Sequence, residues 1–326
     1  MPLFDLSSPE LEAHRTSVVA PEDLDAFWID TLTQSRAAAW PVLVEPVETG
    51  LRLVDTWDVT FSGFDGHPVK AWYHRPAGVR SALPVVVQYQ GYGGGRGLAH
   101  EIRPWAVAGY AALNVDTRGQ GSMWGPGDTP DPIGSEPSYP GFLTRGIRSP
   151  QTYYYRRVFT DAVCAVDAVA QLPDTDGRVV ASGASQGGAL ALVAAALHEA
   201  VVGVIADVPF LCDIPRAADL TPKGPYSELA SFLAVHRQDV ATALRTLAYH
   251  DVAVLAARAT CPGLFSVGIM DQTCPPSTVY AAYNAFAGPK HIEAYRYNEH
   301  EGGGAFHVQT QLEWLHRLLS QWPPPE

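Results

Sequence analysis

From residue 84 onward the chain alternates short apolar runs with segments of helical periodicity, and few folds accommodate that texture. The runs are Val85-Val86-Val87, Tyr110 to Val115, Val179-Val180-Ala181, Val201 to Val208, Leu264 to Ile269 and Ile292 to Tyr297. A strand without in/out alternation is buried on both faces, as in a parallel sheet covered by helices on each side. Between the runs, Val158, Ala162, Ala165, Val166, Val169 and Leu172 recur at helical spacing and make one apolar stripe. Ala189 to Leu197 and Val308 to Leu319 read as two further helices. Ahead of residue 80 the texture differs. Pro21-Glu22-Asp23 is expected to open a helix to about Ala38, with proline first and acids in the first turn. Residues 51–61 and 67–75 alternate around Gly63-Phe64-Asp65-Gly66 and predict an antiparallel hairpin. The sum is an α/β plan: a doubly wound, mostly parallel sheet with antiparallel N-terminal strands. With 326 residues, one catalytic domain spanning 1–326 is expected. Residues 123–150, rich in proline and glycine, are expected to form a long ordered surface loop. Residues from about 209 to 260 read as a helical insertion that caps the active site or builds an oligomer interface. The terminal Pro323-Pro324-Pro325 reads as a frayed end.

Gly183-Ala184-Ser185-Gln186-Gly187 lies between a strand and an Ala/Leu-rich helix, the context a nucleophile elbow requires. The turn is tight enough that side chains flanking Ser185 collide with neighbouring backbone, hence glycine at 183 and 187. It lifts the Ser185 hydroxyl above the sheet, over a helix N-terminus that favours developing negative charge. A serine hydroxyl needs a base, and the base needs an orienting carboxylate. In the α/β-hydrolase fold these follow the serine in the order acid, then histidine. Asp271, directly after the run Leu264 to Ile269, fits the acid, and His300, in Asn298-Glu299-His300-Glu301-Gly302-Gly303-Gly304, fits the base. Asp207 competes for the acid role, but it lies one strand earlier and more naturally supports the elbow. Of the other histidines, seven precede the acid, His291 starts a strand, and His307 and His316 fall on the last helix.

The tetrahedral oxyanion needs two backbone N–H donors. Gln186, next after the nucleophile, supplies one; the loop Gln90-Gly91-Tyr92-Gly93-Gly94-Gly95-Arg96-Gly97 supplies the other, and Tyr92 is the choice. The same loop, with Asp116 after the next strand, invites a dinucleotide reading. It lacks the G-x-G-x-x-G register, and the chain has no G-x-x-x-x-G-K-[ST] run. Asp116-Thr117-Arg118-Gly119-Gln120 ends the second core strand, either as a polar turn or with a buried Arg118 bracing the elbow or oxyanion loop. No cofactor or metal is called for.

The formal charge of -12 disfavours nucleic acid and anionic lipid as partners. No window approaches the ~18 apolar residues of a membrane span, and MPLFDLSSPELEAHR lacks a basic-then-apolar leader. A cytoplasmic setting is therefore expected. Cys164, Cys212, Cys261 and Cys274 show no zinc spacing; Cys261 and Cys274 flank one strand and are within reach of pairing, although reduced thiols fit a cytoplasmic chain better.

Together, Gly91-Tyr92-Gly93-Gly94-Gly95-Arg96-Gly97, Arg118-Gly119-Gln120, the Ser185 pentapeptide and His300-Glu301 resemble carbohydrate esterase family seven, the acetyl xylan esterases and cephalosporin C deacetylases. The resemblance runs along nearly the whole chain. It implies a triad of Ser185, Asp271 and His300, an oxyanion hole from Tyr92 and Gln186, and structural support from Arg118, Gln120 and Glu301. It further implies release of acetate from xylo-oligosaccharides and the antibiotic nucleus, by a cytoplasmic, ring-shaped homohexamer. Gln90 departs from the pattern, standing where relatives often carry histidine. A shallow acyl pocket is expected from Tyr92, Trp124, Phe210 and Pro225, although core or lid packing explains each equally well. A peptidase of the prolyl-oligopeptidase kind shares the elbow, but ~80 residues before the core cannot form its propeller. A non-catalytic module has no physical need of all three triad candidates.

Overall fold

The computed structural model describes residues 4–134 and 140–321, so the expectation for Pro323-Pro324-Pro325 lies outside the described residues. Two helices come first, α1 (Ser8–Ala13) and α2 (Leu24–Ala37). The second starts three residues later than Pro21: the Leu24 N–H closes a tight turn on the Pro21 carbonyl, and the first full helical bond runs from Phe27 to Asp23. A strand not expected from the sequence, β1 (Leu43–Val47), pairs with the hairpin β2 (Val54–Ser62) and β3 (Pro68–Pro76). It sits at the sheet edge and is mostly exposed, and Pro41 and Pro46, which flank Val42-Leu43-Val44, read against a strand there. The hairpin is antiparallel as expected, with Trp57 opposite Tyr73.

The core follows as β4 (Leu83–Tyr89), β5 (Ala111–Val115), α3 (Tyr154–Val169), β6 (Thr175–Ala184), α4 (Gln186–Leu197) and β7 (Val201–Asp207). The insertion supplies α5 (Ile214–Leu220), α6 (Tyr226–Val235), α7 (Val240–Ala248) and α8 (Val252–Leu255). The chain then returns through β8 (Gly263–Gly268), α9 (Pro276–Ala285), β9 (Lys290–Tyr295) and α10 (Gly304–Gln321). That last helix begins a turn before the apolar stripe at Val308, because its first residues, Gly304-Ala305-Phe306-His307, carry no periodic signal. Residues 123–134 and 140–150 hold neither helix nor strand.

Among the described residues the sheet has nine strands in the order β1-β2-β3-β5-β4-β6-β7-β8-β9. The pairs from β5 through β9 are all parallel, while β1, β2 and β3 meet their neighbours antiparallel. This is an α/β-hydrolase sheet. One face buries the larger core, with Val85, Val87, Leu113 and Ala181 against α3 and α4 and Phe265 against Tyr283 and Phe286 at the end of α9. On the other, Val86, Val180, Ile205 and Leu264 pack with Leu315 and Leu318 of α10. The strand order reverses at β4, where β5 lies to one side and β6 to the other. Loops leaving the carboxyl ends of β4 and β6 therefore diverge and leave a crevice, the position at which open α/β sheets bind ligands.

Candidate active site

Ser185 stands between β6 and α4 with φ 58° and ψ -121°, a conformation costly for a residue with a Cβ. The surroundings hold it there. Its N–H donates to the Asp207 carbonyl at 2.9 Å, and its own carbonyl accepts the N–H groups of Ala189 and Phe210. Glycine is required on either side: a Cβ at Gly183 would lie 2.3 Å from the Gly187 backbone, and one at Gly187 would lie 2.4 Å from the Tyr89 carbonyl oxygen. Asp207 thus supports the elbow as expected, through its backbone.

Asp271 follows β8 and is fully buried. Its Oδ1 accepts the N–H groups of Thr273 (2.7 Å) and Cys274 (3.0 Å), which leaves Oδ2 to meet His300 Nδ1 at 2.8 Å. A carboxylate only accepts, so Nδ1 carries the proton and Nε2 presents its lone pair. The His300 side chain is about one-third exposed and lines the same cavity as Ser185. Glu301 steadies the His300 loop by accepting from Asn298 Nδ2 at 2.6 Å and from the Glu299 N–H at 3.1 Å. The Asn298 bond, foremost, holds its carboxyl below the usual range.

Gln186 is the first residue of α4, where backbone N–H groups have no helical partner. Among the described residues neither its N–H nor that of Tyr92 has a protein acceptor. Both donors belong to a cross-braced set. Gln120 Oε1 accepts the Gly93 N–H at 2.7 Å, and Gln120 Nε2 donates to Gln186 Oε1 at 2.9 Å. The Tyr155 hydroxyl also donates to Gln186 Oε1, and Gln186 Nε2 donates to the Gln90 carbonyl. A fully buried glutamine beside the nucleophile therefore ties one donor loop to the other.

Arg118 behaves differently from either expectation. It is completely buried, yet it reaches neither the elbow nor the oxyanion loop. Its guanidinium forks onto both oxygens of Asp161 in α3, at 2.5 and 2.6 Å, with Asp131 at 3.6 Å. Asp161 in turn accepts the Phe64 N–H, so this pair fastens the hairpin turn to α3. Gln120, two residues on, does the bracing.

The cavity above Ser185 measures about 640 Å³. Tyr92, Trp124 and Pro225 line it; Phe210 does not. Phe210 is fully buried, packed beneath Tyr92 and against Tyr226, so the expectation that it contacts substrate is corrected: it supports Tyr92 from below. Trp124 Nε1 donates to the Tyr92 carbonyl at 2.8 Å and so ties the long loop to the oxyanion loop. Glu228 of α6 carried no sequence signal, because a lone acid on an insertion helix reads as surface. Here its Oε1 accepts the Tyr92 hydroxyl at 2.6 Å, and Oε2 accepts the N–H groups of Phe142 and Leu143. Burial pushes its carboxyl up, opposed by those bonds. One carboxylate thus pins the oxyanion loop, the long loop and the insertion together. Glu228→Ala is expected to lower kcat for 4-nitrophenyl acetate by about 10–100-fold, since small misplacements of a reacting geometry cost up to 10²-fold. Steady-state kinetics beside a thermal melt checks this: a loss of stability with kcat intact would assign Glu228 to packing alone.

The four cysteines are free thiols. Cys274 is buried beside Ser185 and Asp271, and burial pushes its thiol well above the usual value. Among the described residues no cluster of His, Cys, Asp and Glu suits a metal ion, and no helix is long and apolar enough to cross a membrane.

Fold and site geometry together define an α/β-hydrolase. The family model described as acetyl xylan esterase (AXE1) matches residues 1–318. A curated relative, acetyl esterase Axe7A of Xylanibacter ruminicola, is 30% identical over 96% of this chain and 70% of its own length. Among solved structures, the acetyl xylan esterase from Paenibacillus sp. R4 superposes with TM-score 0.91 at 34% identity, covering 96% of this chain and 100% of that one. Acetyl xylan esterase 1 from Thermoanaerobacterium sp. JW/SL YS485 gives TM-score 0.88 at 28% identity over 97% and 99%. The chain belongs to the acetyl xylan esterase family and is a carboxylic ester hydrolase.

Proposed function

We propose that the protein removes acetyl groups from acetylated xylo-oligosaccharides and from related small acetyl esters such as cephalosporin C, through an acetyl-enzyme on Ser185. His300 Nε2 takes the Ser185 proton as Oγ attacks the acetyl carbonyl, and the Tyr92 and Gln186 N–H groups receive the oxyanion. The alcohol leaves with the proton from His300. Water then enters by the same route and releases acetate, restoring the serine. The observation that carries this reading is the 2.8 Å contact between His300 and Asp271, opening on the cavity that Ser185 and Tyr92 line, while the N–H groups of Tyr92 and of Gln186, the residue after the serine, lack a protein acceptor among the described residues.

Preference for acetate over longer acyl chains rests on Tyr92, Trp124 and Pro225 around the serine, with Thr273 beside them. A series of 4-nitrophenyl esters tests it. Acetate is expected to exceed octanoate in kcat/KM by at least about 10-fold, the least that a misfit of a methylene or more costs in a shaped pocket. Equal rates would reject the small pocket. A ring-shaped homohexamer and a cytoplasmic setting complete the proposal; four free thiols suit a reducing compartment. Light scattering that finds a monomer would overturn the hexamer.

A further inference from the structure

An acetyl group occupies little of a cavity of about 640 Å³, which at ~30 Å³ each has room for about twenty waters. The remainder extends past His300 onto the α10 face of the sheet, where it is lined by Gln88, Ser182, Asp207, His307 and Gln311. The strands on this face change character abruptly. Ala112, Val86, Val180, Ile205 and Leu264 form its apolar core. Two residues further along each strand, on the same face, stand Asn114, Gln88, Ser182, Asp207 and Ser266, polar without exception. Burying such a row is unfavourable unless its groups are paired.

Most are paired. Gln88 Oε1 accepts from Trp105 Nε1 at 3.1 Å. Asp207 accepts from Ser266 Oγ at 3.1 Å and Gln311 Nε2 at 2.6 Å, with His307 Nε2 at 3.0 Å. His307 Nε2, although 3.0 Å from Asp207, makes no well-directed hydrogen bond there, and two further groups are left over among the described residues. The Ser182 hydroxyl, on a residue 3% exposed, has no protein partner, and neither has Gln311 Oε1, on a residue 5% exposed. A hydroxyl that both donates and accepts, an amide oxygen and a carboxylate with spare lone pairs match the vicinal hydroxyls of a sugar. Arg103 also lines the cavity and adds donors.

We propose that this recess is the alcohol subsite, holding a polyhydroxylated leaving group through Ser182, Asp207 and Gln311 while its acetyl group meets Ser185. The proposal rests on Ser185 being the nucleophile and names what the rest of its cavity holds. The probe is xylobiose, tested as an inhibitor of 4-nitrophenyl acetate hydrolysis by the wild type, Ser182→Ala and Gln311→Leu. Competitive inhibition is expected in the wild type. In Gln311→Leu the inhibition constant is expected to rise by about 10-fold or more beyond any change in kcat/KM for the aryl ester, because a site built for hydroxyls discriminates strongly when its partner is lost. Ser182→Ala, which removes one atom, gives the same direction should the larger change harm folding. Absence of inhibition in the wild type, or parallel changes in both constants, would overturn the subsite. Calorimetric titration of xylobiose into Ser185→Ala protein reads binding without catalysis. A Ser185→Ala protein that still turns over ester would sink the nucleophile assignment alone.

Discussion

Ser185→Ala is expected to lower kcat for 4-nitrophenyl acetate by about 10⁶, some 8 kcal/mol of transition-state stabilisation, if the three groups act as one unit. The size follows from the absence of a substitute. The neighbouring thiol of Cys274 is a stronger nucleophile in principle, but burial pushes its pKa well up and withholds the thiolate. Water held in the cavity has no comparable base alignment. What survives is the contribution of the Tyr92 and Gln186 N–H groups and of binding, on the order of 10³–10⁴ over the uncatalysed reaction. Stability should barely change, because alanine bears the same positive φ as serine and only the hydroxyl is lost. Single-turnover kinetics and labelling by an organophosphate check the claim together. Normal turnover, or labelling undiminished in the variant, would remove Ser185 from the mechanism.

The elbow was legible because its constraint is local. Glycine at 183 and 187 answers contacts made within two strands and one helix, and these recur wherever that turn is built. Asp271 and His300 were legible for a related reason: each sits in the loop that follows a strand, so chain order alone places it at the carboxyl edge of the sheet. Partners chosen across long separations were not. Glu228 meets Tyr92 across 136 residues, and nothing near either residue announces the other. Arg118 shows the same limit from the opposite side. Its position near the crevice suggested the elbow, while its guanidinium turned to Asp161, 43 residues on, because burial of a full charge demands a carboxylate rather than a backbone carbonyl. The edge strand β1 was not legible because Pro46 falls inside it and Pro41 precedes it, and proline is tolerated only at a sheet edge of this kind. Phe210 lies on a loop that reads as pocket wall, but it is fully buried, packed against Tyr92 and Tyr226.

Asp271→Asn should lower kcat by about 10⁴, near 5 kcal/mol, with folding intact. The hydrogen bonds around the carboxyl dictate which way the amide turns. Two N–H groups, from Thr273 and Cys274, point at Oδ1, so the amide oxygen must take that place to accept them. The amide nitrogen then faces His300 Nδ1 at the position of Oδ2, where a donor now meets a donor. The imidazole relieves the clash by moving its proton to Nε2, the atom that must accept from Ser185. It becomes the wrong tautomer, held correctly in space. Asp207→Asn supplies the contrast. Its carboxylate faces His307 and Gln311 on α10 rather than His300, so its loss should reduce aryl acetate kcat by less than about tenfold while disturbing the α10 side of the cavity. Kinetics on the two variants separates the carboxylates. A loss of about 10⁴ at Asp207 with little at Asp271 would exchange their roles, and with them the histidine that serves as base.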